Sequence, residues 1–155
     1  TLELREKFAP QAKVSVLTNG SRIGVKDVAE ALLKVDNAII KIDSALDGTV
    51  YAIDRPMFNY SVENMVAKLA PFKGRFVLQT MFLRGESQDG VIDNTTPEEV
   101  EAWYKLVERI DPREIMIYTI DRETPLKSLQ KVSVSQMEEI AAPLRKMGYK
   151  VSVSG

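Results

Sequence analysis

The sequence contains neither cysteine nor histidine. Without Cys there is no disulfide, no thiolate nucleophile and no cysteine-held zinc or iron–sulfur cluster within the chain. Without His the chain lacks the usual acid/base near neutral pH and the commonest transition-metal ligand. Ser–His–Asp hydrolysis and histidine-based zinc sites are thereby excluded within it, and proton transfer falls to Lys, Tyr, Asp or Glu. Long apolar runs are also lacking. None approaches the ~20 residues of a membrane span, and no signal-peptide pattern opens the chain, so a cytoplasmic setting with no membrane partner is expected. Charge of one sign is missing too: 21 Lys+Arg stand against 22 Asp+Glu, a net charge of −1. No basic stripe favours a nucleic-acid backbone, although a local patch can still form in three dimensions. The glycines form no dinucleotide or P-loop fingerprint.

What is present reads as one α/β domain over residues 1–155. Short apolar runs rich in β-branched residues at 14–18, 38–43, 76–82, 115–119 and 150–153 are predicted strands. Between them lie stripes with helical spacing: Val25, Val28 and Leu32; Val62, Met65, Val66 and Leu69; Val100, Trp103, Val107 and Ile110; Met137, Ile140, Ala141 and Leu144. Thr96-Pro97-Glu98-Glu99 combines an N-cap, a proline at the first helical position and a capping-box Glu. Ser135-Gln136-Met137-Glu138 reads as a second capping box and Ser61 as a simpler cap. Lys73-Gly74, Asp111-Pro112 and Met147-Gly148 mark helix ends. Residues 1–8 already read as part of a helix, and the first residue is Thr1. A piece of a longer chain would begin this way, as would a chain that has lost its initiator Met.

Strand–helix alternation argues for parallel strands, either in an open doubly wound sheet or in part of a (β/α) barrel. Asn19-Gly20 between alternating runs also fits a hairpin, but the helical pattern over 25–34 favours strand–loop–helix.

In either architecture ligands bind at the carboxyl ends of the strands, and polar residues gather there. The first strand ends in Thr18-Asn19-Gly20-Ser21. The second carries Lys41 and Asp43, two apart and so on one face, with Ile40 and Ile42 on the other. The third carries Gln79 and Thr80 and leads into Arg84-Gly85-Glu86, and the fourth ends in Tyr118-Thr119-Ile120-Asp121-Arg122. Lys41 and Asp43 can be an internal ion pair that fixes packing, or part of a site. Asp89, Asp93 and Asn94 are an acidic loop whose spacing loosely suggests a metal; no metal ligands are assigned.

Several of these segments resemble radical-SAM (S-adenosylmethionine radical) enzymes. Leu17-Thr18-Asn19-Gly20-Ser21 resembles their third-strand turn. Lys41-Ile42-Asp43-Ser44, continuing through Ala52-Ile53-Asp54-Arg55-Pro56, is similar to the fourth strand and its loop. The run from Phe76 to Gly85 is similar to the fifth strand. Asp93 to Val100 followed by Ile115 to Arg122 resembles the next helix and the sixth strand. The nearest group is the iron–sulfur oxidoreductases related to wyosine and molybdenum-cofactor biosynthesis enzymes. The resemblance implies the later strands of a six-stranded partial barrel whose parent enzyme cleaves S-adenosylmethionine to a 5′-deoxyadenosyl radical at a 4Fe-4S cluster. It implies that Asn19, Lys41, Asp43 and Ser44 face the methionine and ribose, and that Gln79, Arg84 and Tyr118 lie nearer the adenine or substrate. The family's CxxxCxxC loop has no counterpart here, so the chain alone is expected to be inactive and to hold no cofactor. A partial barrel also exposes the edge of the 14–18 strand, which points to self-association, possible as a homodimer. Two other readings stay open: an autonomous non-catalytic α/β module for a small anionic ligand, and a small enzyme using Lys41 as an amine nucleophile.

Overall fold

The computed structural model describes every residue except Phe58, Gln88, Asp89, Glu123 and Pro125. In chain order it begins with α1 (Leu2–Phe8), β1 (Ser15–Thr18), α2 (Lys26–Lys34), β2 (Asn37–Lys41), α3 (Asp47–Asp54) and α4 (Val62–Leu69). A 3-10 turn at Ala70–Phe72 leads to β3 (Val77–Met81), β4 (Leu83–Ser87), β5 (Gly90–Asp93) and α5 (Pro97–Ile110). The chain ends with β6 (Glu114–Tyr118), β7 (Gln130–Lys131), α6 (Val134–Lys146) and β8 (Val151–Ser154).

The parallel sheet has the order β1-β2-β3-β6-β8, so its strands lie side by side in the order in which the chain meets them. An open doubly wound sheet reverses its strand order at a switch point and carries helices on both faces. Among the described residues the strand order shows no reversal, and α2, α4, α5 and α6 all pack on one face. Ala38, Ile40, Leu78, Ile115, Ile117 and Val151, all on one face, share a core with Leu32 of α2, Met65 and Leu69 of α4, Trp103 and Val107 of α5, and Met137 and Leu144 of α6. The opposite face carries Leu17, Ile39, Lys41, Gln79, Met81, Met116 and Tyr118, all half-buried or exposed. One-sided helices and sequential strands are the arrangement of a partial (β/α) barrel, and this resolves the architecture left open by the sequence.

The strand and stripe positions explain the packing. Ile40, Leu78 and Ile115 are fully buried, each contributing about 1.5–3 kcal/mol relative to exposure. Trp103 meets Phe82 edge-to-face at a centroid distance of 5.2 Å and donates its indole N–H to Thr80 Oγ1 at 3.1 Å. The buried tryptophan thus leaves no polar group unpaired.

The structure adds elements that were not expected. Residues 83–87, which read as a loop, form β4, which pairs antiparallel with β5 and β7 in a separate three-stranded sheet. Gly85 permits that packing: its φ is +152°, and a Cβ there would lie 2.6 Å from the Ser128 carbonyl oxygen. Buried Asn94 ties this sheet to the parallel one. Its side-chain oxygen accepts from the Leu83 N–H at 2.9 Å, and its amide donates to the Asp43 carbonyl at 2.8 Å and the Met81 carbonyl at 2.7 Å. Asp93 accepts from the Thr95 N–H and pairs with Arg84. Asp93 and Asn94 are therefore structural, and Asp89 lies outside the described residues. Among the described residues no group of three His, Cys, Asp or Glu is arranged to hold a metal.

Asn19-Gly20 closes no hairpin, because β1 pairs parallel with β2. Gly20, at φ +70°, turns the chain toward α2, and the Ser21 N–H donates to Asn19 Oδ1 at 3.1 Å. The cap of α6 is Ser133, whose hydroxyl accepts from the Gln136 N–H at 3.2 Å, rather than Ser135. Ser133-Val134-Ser135-Gln136 overlaps the expected capping box by two residues. The buried bond from the Val132 N–H to Thr119 Oγ1 fixes the chain just before it, so the helix starts early.

Candidate functional site

Lys41 ends β2, on the face turned away from the helices. Its neighbour in register is Gln79 of β3. Asp43 follows two residues on and is almost fully buried. Burying a carboxylate is costly unless it is paired, and here it is. Asp43 Oδ2 faces the Lys41 ammonium, and Oδ1 accepts from the Met81 N–H at 3.0 Å. The ammonium is shared with Asp54 at the end of α3, at 2.5 Å.

One cation between two carboxylates sets the electrostatics. Burial pushes the Asp43 carboxyl up to about 6 against the pull of Lys41, and Asp54 adds to the rise. Burial alone would lower the Lys41 ammonium, but Asp43 and Asp54 outweigh it and hold the group above its ordinary value. The raised ammonium disfavours the free amine that a Lys41 nucleophile would need. Tyr60 is pushed up to about 12, by burial first and then by Asp54 and Asp47. Tyr118 is raised by burial and by Asp43, so it lies within the field of the same ion group.

Beside this group opens a cleft of about 500 Å3, within the usual range of ~300–1,000 Å3 for small-molecule sites. Its walls are the β1–α2 loop with Asn19, the Lys41–Asp54 pair, the segment reaching Tyr60 and Ser61, and one side of α4. Asp54 is the only carboxylate among its described lining residues. Tyr51, whose hydroxyl accepts from the Tyr60 N–H at 2.8 Å, helps to hold the connecting segment.

The residues expected at the site divide into two groups. Asn19 and Lys41 line the cleft, and buried Asp43 pairs with Lys41. Gln79 and Tyr118 lie farther along the same sheet face, since Gln79 is in register with both Lys41 and Met116. The Gln79 side-chain oxygen is shielded from solvent and has no hydrogen-bond partner among the described residues. Ser44 and Arg84 face elsewhere. The Ser44 hydroxyl donates to buried Glu99 at 2.6 Å, and that carboxylate also accepts from Thr49. Arg84 belongs to β4, where its Nε donates to Thr95 Oγ1 at 2.8 Å and pairs with Asp93.

Sequence reasoning did not single out Asp54, Tyr60 or the polar side of α4. Asp54 ends α3, whose apolar residues show only weak helical spacing, so no local pattern marks it. On α4, Ser61, Asn64 and Lys68 recur with helical spacing, but the apolar stripe beside them drew the reading.

A domain of pyruvate-formate lyase-activating enzyme from Bacteroides vulgatus superposes with a TM-score of 0.64 over 92% of this chain and 82% of its own, at 11% identity. A radical SAM methyltransferase from Sphaerobacter thermophilus gives 0.67 over 90% of this chain and 39% of its own, at 16% identity. The fold is that of radical SAM enzyme domains. No family model matches the sequence. The protein named GTPase Obg of Brachyspira hyodysenteriae is 26% identical over 130 residues, covering 81% of this chain but only 18% of that protein. No helix among the described residues is long and apolar enough to cross a membrane.

Proposed function

We propose that this chain is the later part of a radical-SAM barrel, and that its cleft serves the nucleoside of S-adenosylmethionine in the full protein. The observation that carries this reading is the Lys41–Asp43–Asp54 ion group beside an open cleft at the carboxyl ends of parallel strands, in a fold shared with radical SAM domains. A 4Fe-4S cluster does not fit the residues present, since the chain has neither Cys nor His to hold iron. Its ligands belong to other parts of the full protein. S-adenosylmethionine does fit the cleft in size and donor set: Asn19, Lys41 and Asp54 offer an amide, a cation and a carboxylate.

In this reading the chain binds and orients. Asp54 and Asp43 hold Lys41 in one position, so the cleft is preorganised before ligand arrives. Reductive cleavage of S-adenosylmethionine is the chemistry the bound group supplies in the full protein, which we place among iron–sulfur oxidoreductases. The name of the Brachyspira relative does not carry over. The match spans 18% of that protein, and this chain has no phosphate-binding glycine loop for GTP.

The test is made in the full protein. Asp43→Ala should weaken S-adenosylmethionine binding by about tenfold or more, because it leaves Lys41 without its buried partner. Glu101→Ala, which removes only an exposed pair with Lys105, should leave binding unchanged. Equal effects of the two substitutions, or the absence of a CxxxCxxC segment from the full protein, would sink the reading.

A further inference from the structure

Helix α3 is short and weakly anchored by apolar contact. Of its eight residues only Val50 is buried, and the residue at its cap position, Leu46, has no side-chain acceptor to offer. Core packing through one side chain leaves such a helix free to tilt. Yet Asp54, its last residue, meets the Lys41 ammonium at 2.5 Å. Contacts other than the core must set the direction of α3.

Those contacts are polar and lie at the start of the helix. Asp47 Oδ1 accepts from the Val62 N–H at 2.7 Å, which ties α3 to α4. A double tie runs to α5. Glu99 is buried, and its carboxylate accepts from the Thr49 hydroxyl in the first turn of α3 and from the Ser44 hydroxyl at 2.6 Å. Ser44 Oγ in turn accepts from the Leu46 N–H at 2.9 Å, so the residue just before the helix is held as well. Glu99 stands on a fixed platform. Thr96 caps α5 and accepts from the Glu99 N–H, and Trp103, Leu106, Val107 and Ile110 seat that helix in the core. A capping-box glutamate turns back to the N–H of its own cap residue. Among the described residues the Glu99 carboxylate has Ser44 and Thr49 as its partners instead. Thr49 and Asp54 are five residues apart, about 7.5 Å along a helix axis, so a small tilt at Thr49 moves Asp54 off Lys41.

We propose that Glu99 is a positioning residue for the cleft: by holding Ser44 and Thr49 it sets the direction of α3 and keeps Asp54 on the Lys41 ammonium. The role rests on the reading of this cleft as the ligand site and adds the residue that preorganises it from outside.

The test is an NMR titration of the Asp43 carboxyl in the purified chain, without ligand. Its midpoint is about 6, set by burial, by Lys41 and by Asp54, and Glu99 bonds to none of these groups. Glu99→Ala should lower the midpoint toward the ordinary carboxylate range. Loss of Asp54 removes a repelling charge, leaves Lys41 undivided and admits water, and all three act in that direction. Glu99→Gln should keep the wild-type value, because its amide can accept from one hydroxyl and donate to the other. Thr49→Val keeps the size of a half-buried side chain and loses one tie, so it should lower the midpoint by less. This variant decides the matter if Glu99→Ala does not fold. Ser133→Ala, which removes the cap of α6, should leave the midpoint unchanged. In an Asp54→Asn background the midpoint should already be lower, and Glu99→Ala should move it no further.

An unchanged midpoint in Thr49→Val and Glu99→Ala would overturn the role and leave Glu99 as a tie between two helices. So would a shift of equal size in the Asp54→Asn background, since the effect would then bypass Asp54. The titration uses no ligand, so it decides the role of Glu99 separately from the S-adenosylmethionine reading, which the Asp43→Ala binding measurement decides.

Discussion

Asp43 shows how one side chain can carry opposing demands. Its neighbours Met81 and Lys41 favour the charged form, and its burial opposes it more strongly, so the folded carboxyl sits at about 6 rather than 3.8. Because the folded state binds this proton more tightly than the unfolded chain, the group's contribution to stability is fully present below about pH 3.8 and is lost as pH rises through about 6. Asp43→Asn removes this titration. The melting temperature of the wild type minus that of the variant should therefore fall steadily between about pH 3.8 and 6 and level off above that. A difference that stays flat across that range would show that Asp43 titrates normally. Lys41 and Asp43 were legible as a pair because alternation in a strand puts i and i+2 on one face. Asp54 was not, since its place beside Lys41 depends on how α3 folds back over the end of β2.

At the scale of elements, most boundaries were readable from local chemistry. All five parallel strands formed where short β-branched runs stood, within a residue or two. Thr96 and Ser61 cap α5 and α4 as expected, each accepting from the N–H three residues on. The exception is instructive. Two serines two residues apart both precede a helical run, and the hydrogen bond between Val132 and Thr119 selects the first. Ser133→Ala should cost about 1 kcal/mol of stability, whereas Ser135→Ala should cost a few tenths at most. Denaturant unfolding of the two variants measures this, and the reverse order would place the cap at Ser135. The β4–β5–β7 sheet was illegible for a related reason. Its strands are short and polar, and what holds them is Asn94 bridging two sheets and Gly85 admitting the Ser128–Leu129 backbone, both long-range contacts.

For the whole molecule, one-sided helix cover has a consequence. The sheet face opposite the helices is only half-covered, Leu17 on edge strand β1 is 61% exposed, and Leu4 and Phe8 on α1 are exposed as well. An unpaired strand edge beside apolar side chains favours association with another chain. We expect the purified chain to form dimers at micromolar concentration by sedimentation, and Leu17→Lys to shift it toward monomer. A monomer across a hundredfold concentration range would show that this edge is adequately protected by itself.

The sequence by itself determined the parallel α/β class, the positions of the five parallel strands and of the helices with clear apolar stripes, the exclusion of cysteine and histidine chemistry, and the placing of Lys41 and Asp43 on one face. These depend on residue type and on periods of two and 3.6, which are local. Only the tertiary structure decided between barrel and doubly wound sheet, because strand order and the side taken by each crossover leave no mark on local periodicity. It alone also brought Asp54 to Lys41 and Glu99 to the first turn of α3. Those positions are fixed by the packing of α3 and α5 against residues far away in the chain.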